Sequence, residues 1–133
     1  MRISIQTLGT LGDVLPFLAL GQHLQARGHD VSILSPRDHH RVITGYGLSP
    51  ARPPGFSVAD WMQEAEERGS LTGPRAFFRD WNEMIRPHVE DVLDCALEAG
   101  KDADLILANP IAMPARIAAE HWRRPLVLMS LQP

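Results

Sequence analysis

Short runs of β-branched and aliphatic residues alternate along this chain with longer stretches of helical spacing. Arg2-Ile3-Ser4-Ile5-Gln6-Thr7 is short, β-rich and stopped by Gly9, which predicts a strand. A Gly/Thr loop follows, and then Phe17, Leu20, Gly21 and Leu24 fall on one helical face. Asp13 is the expected N-cap of that helix, Pro16 suits its first turn, and Gly28 stands where a C′ glycine ends one. Asp30 to Ser35 predicts a second strand, Asp38 to Tyr46 a helix closed by Gly47, and Leu48 to Ala51 a short third strand.

The middle breaks the alternation. Val58, Trp61, Met62 and Ala65 share a helical face that Gly69 closes. From Thr72-Gly73-Pro74 a long helix is expected, with Phe78, Trp81, Ile85, Val89, Val92 and Ala96 on one side and Pro87 dividing it. The end returns to strand, helix, strand: Asp104 to Ala108, a helix carrying Ala115, Ala118, Ala119 and Trp122, and Pro125 to Met129. Strands alternating with helices predict an α/β fold, a Rossmann-like parallel sheet with helices on both faces and right-handed crossovers.

Composition narrows the function. At 133 residues, 44% hydrophobic and 22% charged, the chain has the make-up of one globular domain with its own core. The net charge of −3 and the absence of a Lys/Arg run argue against nucleic acid, because phosphate contacts need clustered cations. Cys95, the one cysteine, makes neither an internal disulfide nor a zinc site, and a reducing cytoplasm is the simplest expected compartment. Neither a signal-peptide stretch nor an apolar run of ~20 residues is seen.

The loop after the first strand is the main candidate site. In open parallel sheets, ligands bind beyond the carboxyl ends of the strands. Gly9 and Gly12 permit a tight turn and close approach, and the next helix offers unpaired N–H groups. The sequence Gly9-Thr10-Leu11-Gly12-Asp13 lacks both the G-x-G-x-x-G and the G-K-[ST] patterns, which disfavours NAD and ATP. Asp13 either caps the helix or serves as a general base toward a substrate hydroxyl, and the two roles are compatible.

The stretch Thr7 to Leu20 resembles the N-terminal signature of GT-B glycosyltransferases, of the form G-[ST]-x-G-D-x-x-P-x-x-A-L, in the subgroup acting on sterols, lipids and antibiotics. Gly9, Thr10, Gly12, Asp13, Pro16, Ala19 and Leu20 match it. Leu24 to Val31 is similar to the family's turn into the second strand, and Asp104 to Pro125 to its later strand and "A-x-x-I-A-E" helix. Leu11 departs from the arginine often found before the second glycine. The resemblance implies transfer of a hexose, with inversion, from a nucleotide-sugar such as UDP- or dTDP-hexose to an acceptor hydroxyl. It makes residues 1–133 the acceptor-binding domain, with the nucleotide-sugar held mainly by a C-terminal domain outside this sequence. It also implies Asp13 as base, the backbone of Gly9, Thr10, Leu11 and Gly12 beside the donor phosphates, and no metal or other cofactor. On this reading the chain alone folds but does not catalyse.

Trp61 and Phe77 are candidates for an apolar acceptor site, against ordinary core packing, which suits Trp81 better. Phe77-Phe78-Arg79 is the one patch that suggests peripheral membrane contact. Asn109, at the ligand edge after a strand, either binds ligand or shapes the turn before Pro110. The six histidines are expected in solvated or capping roles. His39 and His40 are adjacent and point apart, and His23, His29, His88 and His121 are isolated. Two other readings remain open. One is a free-standing acceptor-recruiting subunit of a split glycosyltransferase. The other is an unrelated doubly wound nucleotide-binding domain.

Overall fold

A computed structural model describes residues 1–67, 78–79, 82–83 and 86–130. Five parallel strands form one sheet: β1 (Arg2–Gln6), β2 (Asp30–Leu34), β3 (Ser49–Pro50), β4 (Leu105–Ala108) and β5 (Leu126–Leu128). Their order across the sheet is β3-β2-β1-β4-β5, so the chain builds outward from β1, first to one side and then to the other. The helices are α1 (Leu11–Ala26), α2 (His40–Gly45), α3 (Val58–Glu67), α4 (Val89–Gly100) and α5 (Pro114–Trp122).

Strand alternation separates two cores. Ile3 and Ile5 of β1, Val31 and Ile33 of β2 and Leu107 of β4 face Val14, Phe17 and Leu18 of α1 and Ile43 of α2. The intervening positions, Leu34, Ile106 and Ala108, face Cys95 and Ala96 of α4 and Ala115, Ala118 and Ala119 of α5. Helices therefore cover both faces, as a parallel sheet with apolar residues on both sides requires. The second core is rich in alanine, which lets α4 and α5 pack closely. The Trp122 indole N–H donates to the Leu97 carbonyl across that pair at 2.8 Å. Burial among these small residues pushes the Cys95 thiol up to about 11, so it is a core residue rather than a reactive one.

The sequence placed most boundaries within a residue or two. Gly28, with φ +85, ends α1 as expected: its N–H donates to Gln25 and that of His29 to Leu24, a Schellman pair. The start of α1 differs from expectation. Thr10 is the N-cap, in extended conformation, and Asp13 occupies the third helical position. Pro16 consequently lies in the second turn, where it supplies no N–H to the Gly12 carbonyl. Pro87 divides the long middle pattern, as expected: Arg86–His88 form a 3-10 turn and α4 begins at Val89. Val92 and Ala96 are buried on α4, but Phe78 and Val89, expected on the same buried stripe, are 62% and 40% exposed. Phe78 precedes the break at Pro87, so the period of α4 does not extend to it, and Val89 is the first residue of α4, at its open end. Phe77, Trp81, Ile85 and the end of α3 at Gly69 lie outside the described residues.

Two carboxylates fix the segment between β3 and α4. Asp38, just after β2, accepts from the N–H groups of Val58 (2.5 Å) and Ala59 (3.3 Å) and so holds the start of α3. Partial burial opposes its charge, but hydrogen bonds from Ser57, Val58 and Ala59 outweigh it and hold the carboxyl below the usual range. Asp91 of α4 accepts from the Gly55 N–H at 2.5 Å and pairs with Arg52, which also reaches Glu98. The Gly55 bond, opposed by burial and helped by Arg52, likewise lowers the Asp91 carboxyl. A carboxyl lowered in the folded state contributes stability above its unfolded value, near 3.8, and loses it as pH falls through the folded value. Thermal scans are expected to show a falling melting temperature below about pH 5, with a flatter profile in Asp91→Asn. A profile of unchanged slope in that variant would count against the assignment.

Candidate functional site

The carboxyl ends of β1, β2 and β4 bring three segments together at one edge of the sheet. Thr7 to Asp13 follows β1, Ser35 to His39 follows β2, and Asn109 follows β4. The β1 loop is pinned from below. The Thr7 N–H donates to the Leu34 carbonyl at 2.8 Å, and that of Asn109 to the Gln6 carbonyl at 3.3 Å.

Gly9, Thr10 and Asp13 form one tight unit. Gly9 has φ +117, a conformation that side chains disfavour, and a Cβ there would lie 2.5 Å from Asp13 Oδ2. The Asp13 Oδ2 atom accepts from the Thr10 N–H at 2.8 Å and the Thr10 hydroxyl at 3.0 Å. This is the carboxylate half of a capping box, reaching back from the third helical position to the N-cap. Among the described residues, Asp13 Oδ1 receives no protein donor. Asp13 is half-buried and Leu11 is exposed. The N–H groups of Leu11 and Gly12 have no acceptor among the described residues, as the first turn of a helix leaves its leading N–H groups without intrahelical partners. The arrangement can therefore do two things chemically. It presents free N–H donors at a helix N-terminus, and it holds a carboxylate by one oxygen with the other open.

Asn109 is 3% exposed and its amide is occupied by backbone. Its Oδ1 accepts from the N–H groups of Leu8 (3.3 Å) and Ala112 (3.0 Å), and its Nδ2 donates to the Leu8 carbonyl at 2.7 Å. The turn role fits this placement: Asn109 ties the β4 loop to the β1 loop. Asn109→Ala would orphan these groups, and a loss of about 1–3 kcal/mol in denaturant unfolding is expected. A change within ~0.5 kcal/mol, the scale of an ordinary surface substitution, would refute it.

Trp61 lies on α3 and is 40% exposed, so core packing does not consume its ring. Phe77 lies outside the described residues. His39 is what the sequence reading missed. It is 7% exposed and its side chain makes no cap hydrogen bond, against the solvated or capping role expected, and its Nε2 lies 3.1 Å from the Gly9 carbonyl oxygen. Its neighbour His40 points elsewhere, to the Ala51 carbonyl at 3.1 Å. The 3-10 turn at Arg37–His39 swings His39 inward, a turn that helix periodicity does not signal. Among the described residues, no group of three or more His, Cys, Asp or Glu side chains is placed to hold a metal, and no helix is long and apolar enough to cross a membrane.

The model of the glycosyltransferase family 28 N-terminal domain matches residues 3–132. Similar proteins include a sterol 3-beta-glucosyltransferase of Cryptococcus neoformans, 31% identical over 94% of this chain and 8% of its own length. Another is the O-mycaminosyltylonolide 6-deoxyallosyltransferase of Streptomyces fradiae, 34% identical over 85% of this chain and 27% of its own. This chain thus spans under a third of either relative. Among solved GT-B structures, the calicheamicin glycosyltransferase superposes with a TM-score of 0.76 at 21% identity, covering 97% of this chain and 32% of that one. The SnogD glycosyltransferase of Streptomyces nogalater gives 0.72 at 25% identity, covering 98% and 35%. With the family model matching nearly end to end, this chain belongs to the glycosyltransferase family 28 N-terminal domain family.

Proposed function

We propose that this domain is the acceptor-binding half of an inverting hexosyltransferase, with Asp13 as general base. The observation that carries the reading is the Asp13 carboxylate, anchored through Oδ2 on Thr10 and open at Oδ1, at the ligand edge of the sheet. An acceptor hydroxyl is a poor nucleophile at neutral pH. A base that takes its proton as the oxygen attacks the anomeric carbon leaves a neutral glycoside, while the bond from that carbon to the diphosphate oxygen breaks and the nucleotide diphosphate departs. The charge on that diphosphate suits the free N–H groups of Leu11 and Gly12. Gly12 adds support: a Cβ there would meet nothing nearer than Thr10 Oγ1 at 3.7 Å. The fold does not demand a glycine at that position, whereas a ligand approaching the backbone does.

The acceptor is a small molecule or lipid, in line with the sterol and mycaminosyltylonolide names of the relatives, and Trp61 is an exposed aromatic that suits such a ligand. Asn109 shapes the site without itself contacting the acceptor. The nucleotide-sugar, a UDP- or dTDP-hexose, is held mainly by a second domain facing this one, and the reaction needs no metal. Calorimetric titration of residues 1–133 with UDP- and dTDP-sugars is expected to give weak or no binding. Micromolar binding would favour a self-sufficient nucleotide-binding domain instead.

A further inference from the structure

The Gly9 carbonyl and the Thr10 N–H belong to one peptide unit. That unit is trans and planar, so its oxygen and its hydrogen point in opposite directions. One end meets His39 Nε2 at 3.1 Å and the other meets Asp13 Oδ2 at 2.8 Å. A carbonyl oxygen only accepts, so His39 carries its proton on Nε2 and donates. The three groups form a continuous hydrogen-bonded line from a buried imidazole, through one peptide plane, to the carboxylate.

We infer that His39 is a positioning residue for Asp13, acting through the Gly9–Thr10 peptide. The peptide needs such a hold because it follows Gly9, whose φ of +117 lies where glycine rotates with little steric penalty. Without a donor at the carbonyl, the peptide plane is free to turn, and the Thr10 N–H would swing off the carboxylate. His39 is well suited to prevent this. It is buried, it issues from the 3-10 turn that follows β2, and β2 pairs directly with β1, so the donor and the loop share one rigid base. A hydrogen bond accepted at the carbonyl also polarises the peptide, which strengthens the N–H as a donor to Asp13. The neutral Nε2–H tautomer and the imidazolium both keep this donor, so the line does not depend on the charge of His39.

The catalytic consequence rests on the proposed role of Asp13, but the hydrogen-bonded line does not, and the test separates the two. His39→Phe keeps a buried ring and removes the donor, whereas His39→Gln places an amide N–H at nearly the reach of Nε2. In the complete protein, amide exchange at Thr10 is expected to quicken about tenfold in His39→Phe, with Ile5 and Ile33 unchanged, and to return toward the parent rate in His39→Gln. The kcat is expected to fall by about tenfold in His39→Phe, to recover in His39→Gln, and to do so with KM for donor and acceptor within about twofold. Should His39→Phe not fold, His39→Asn serves, since its shorter amide cannot reach the carbonyl. Unchanged Thr10 exchange in the donorless variant overturns the inference. So does unchanged kcat where Asp13→Asn is inactive, or equal loss in His39→Phe and His39→Gln. If Asp13→Asn keeps its rate while Thr10 exchange responds to His39, the line stands and the base assignment fails.

Discussion

On the proposed role in a two-domain glycosyltransferase, Asp13→Asn in the full-length protein is expected to lower turnover by ~10²–10⁴-fold, the range that a positioned general base contributes. The substitution is close to a pure test because the amide keeps the structural half of the residue. Its Oδ can still accept from the Thr10 N–H and hydroxyl, as the carboxylate does at 2.8 and 3.0 Å. What it loses is a negative charge at the start of α1, costing about 0.3–1 kcal/mol of helix-dipole interaction, and the ability to take a proton. The melting temperature should therefore move by only a few degrees while kcat collapses. Steady-state kinetics with a nucleotide-sugar donor, paired with a thermal scan, reads both quantities. A variant with near-parent turnover would remove Asp13 from the chemistry and leave it as a helix cap.

Much of this domain was legible in the sequence because its strands are buried on both faces and α1 and α2 are closed by glycines, Gly28 and Gly47. Ile3, Ile5, Val31 and Ile33 are short β-branched runs with nowhere to go but a sheet core. Gly28 announces a left-handed turn that other residues resist. The Gly9-to-Asp13 loop was found as a site by its glycines and by its place after a strand. The details that escaped depend on three-dimensional closure. Asp13 was read as the N-cap because a carboxylate before an apolar stripe often is one, yet Thr10, four positions after β1, caps earlier and leaves Asp13 to reach back. Asn109 looked equally fit for ligand or turn, since only the pairing of β1 with β4 brings Leu8 within reach of its amide. His39 gave no signal at all, because its partner is a backbone carbonyl thirty residues away in sequence. Phe78 was misplaced for a different reason: one helical period was carried across Pro87, where the helix restarts, while Val89 is exposed as the first residue of that restarted helix.

The two glycines of the signature loop should respond to alanine in opposite ways, although the sequence presents them as a pair. Gly9→Ala forces a side chain into φ +117, a strain of about 1–3 kcal/mol, and puts its Cβ 2.5 Å from Asp13 Oδ2. Relief comes by one of two routes. Either the backbone turns, which carries the Gly9–Thr10 peptide away from both His39 and Asp13, or the carboxylate itself leaves its place on Thr10. Both routes misplace the proposed base by something near an ångström, a displacement that can cost ~10² in rate. Gly12→Ala meets only Thr10 Oγ1 at 3.7 Å, in helical conformation at the start of α1, where alanine is favoured over glycine by roughly 0.5–1 kcal/mol. Thermal unfolding should therefore show Gly9→Ala destabilised and Gly12→Ala unchanged or raised. A loss of turnover in Gly12→Ala without loss of stability would report a ligand lying against its backbone. Turnover in Gly9→Ala should fall by about a hundredfold, and an enzyme that keeps its rate with alanine at Gly9 would show that the geometry of this loop does not set the position of the base.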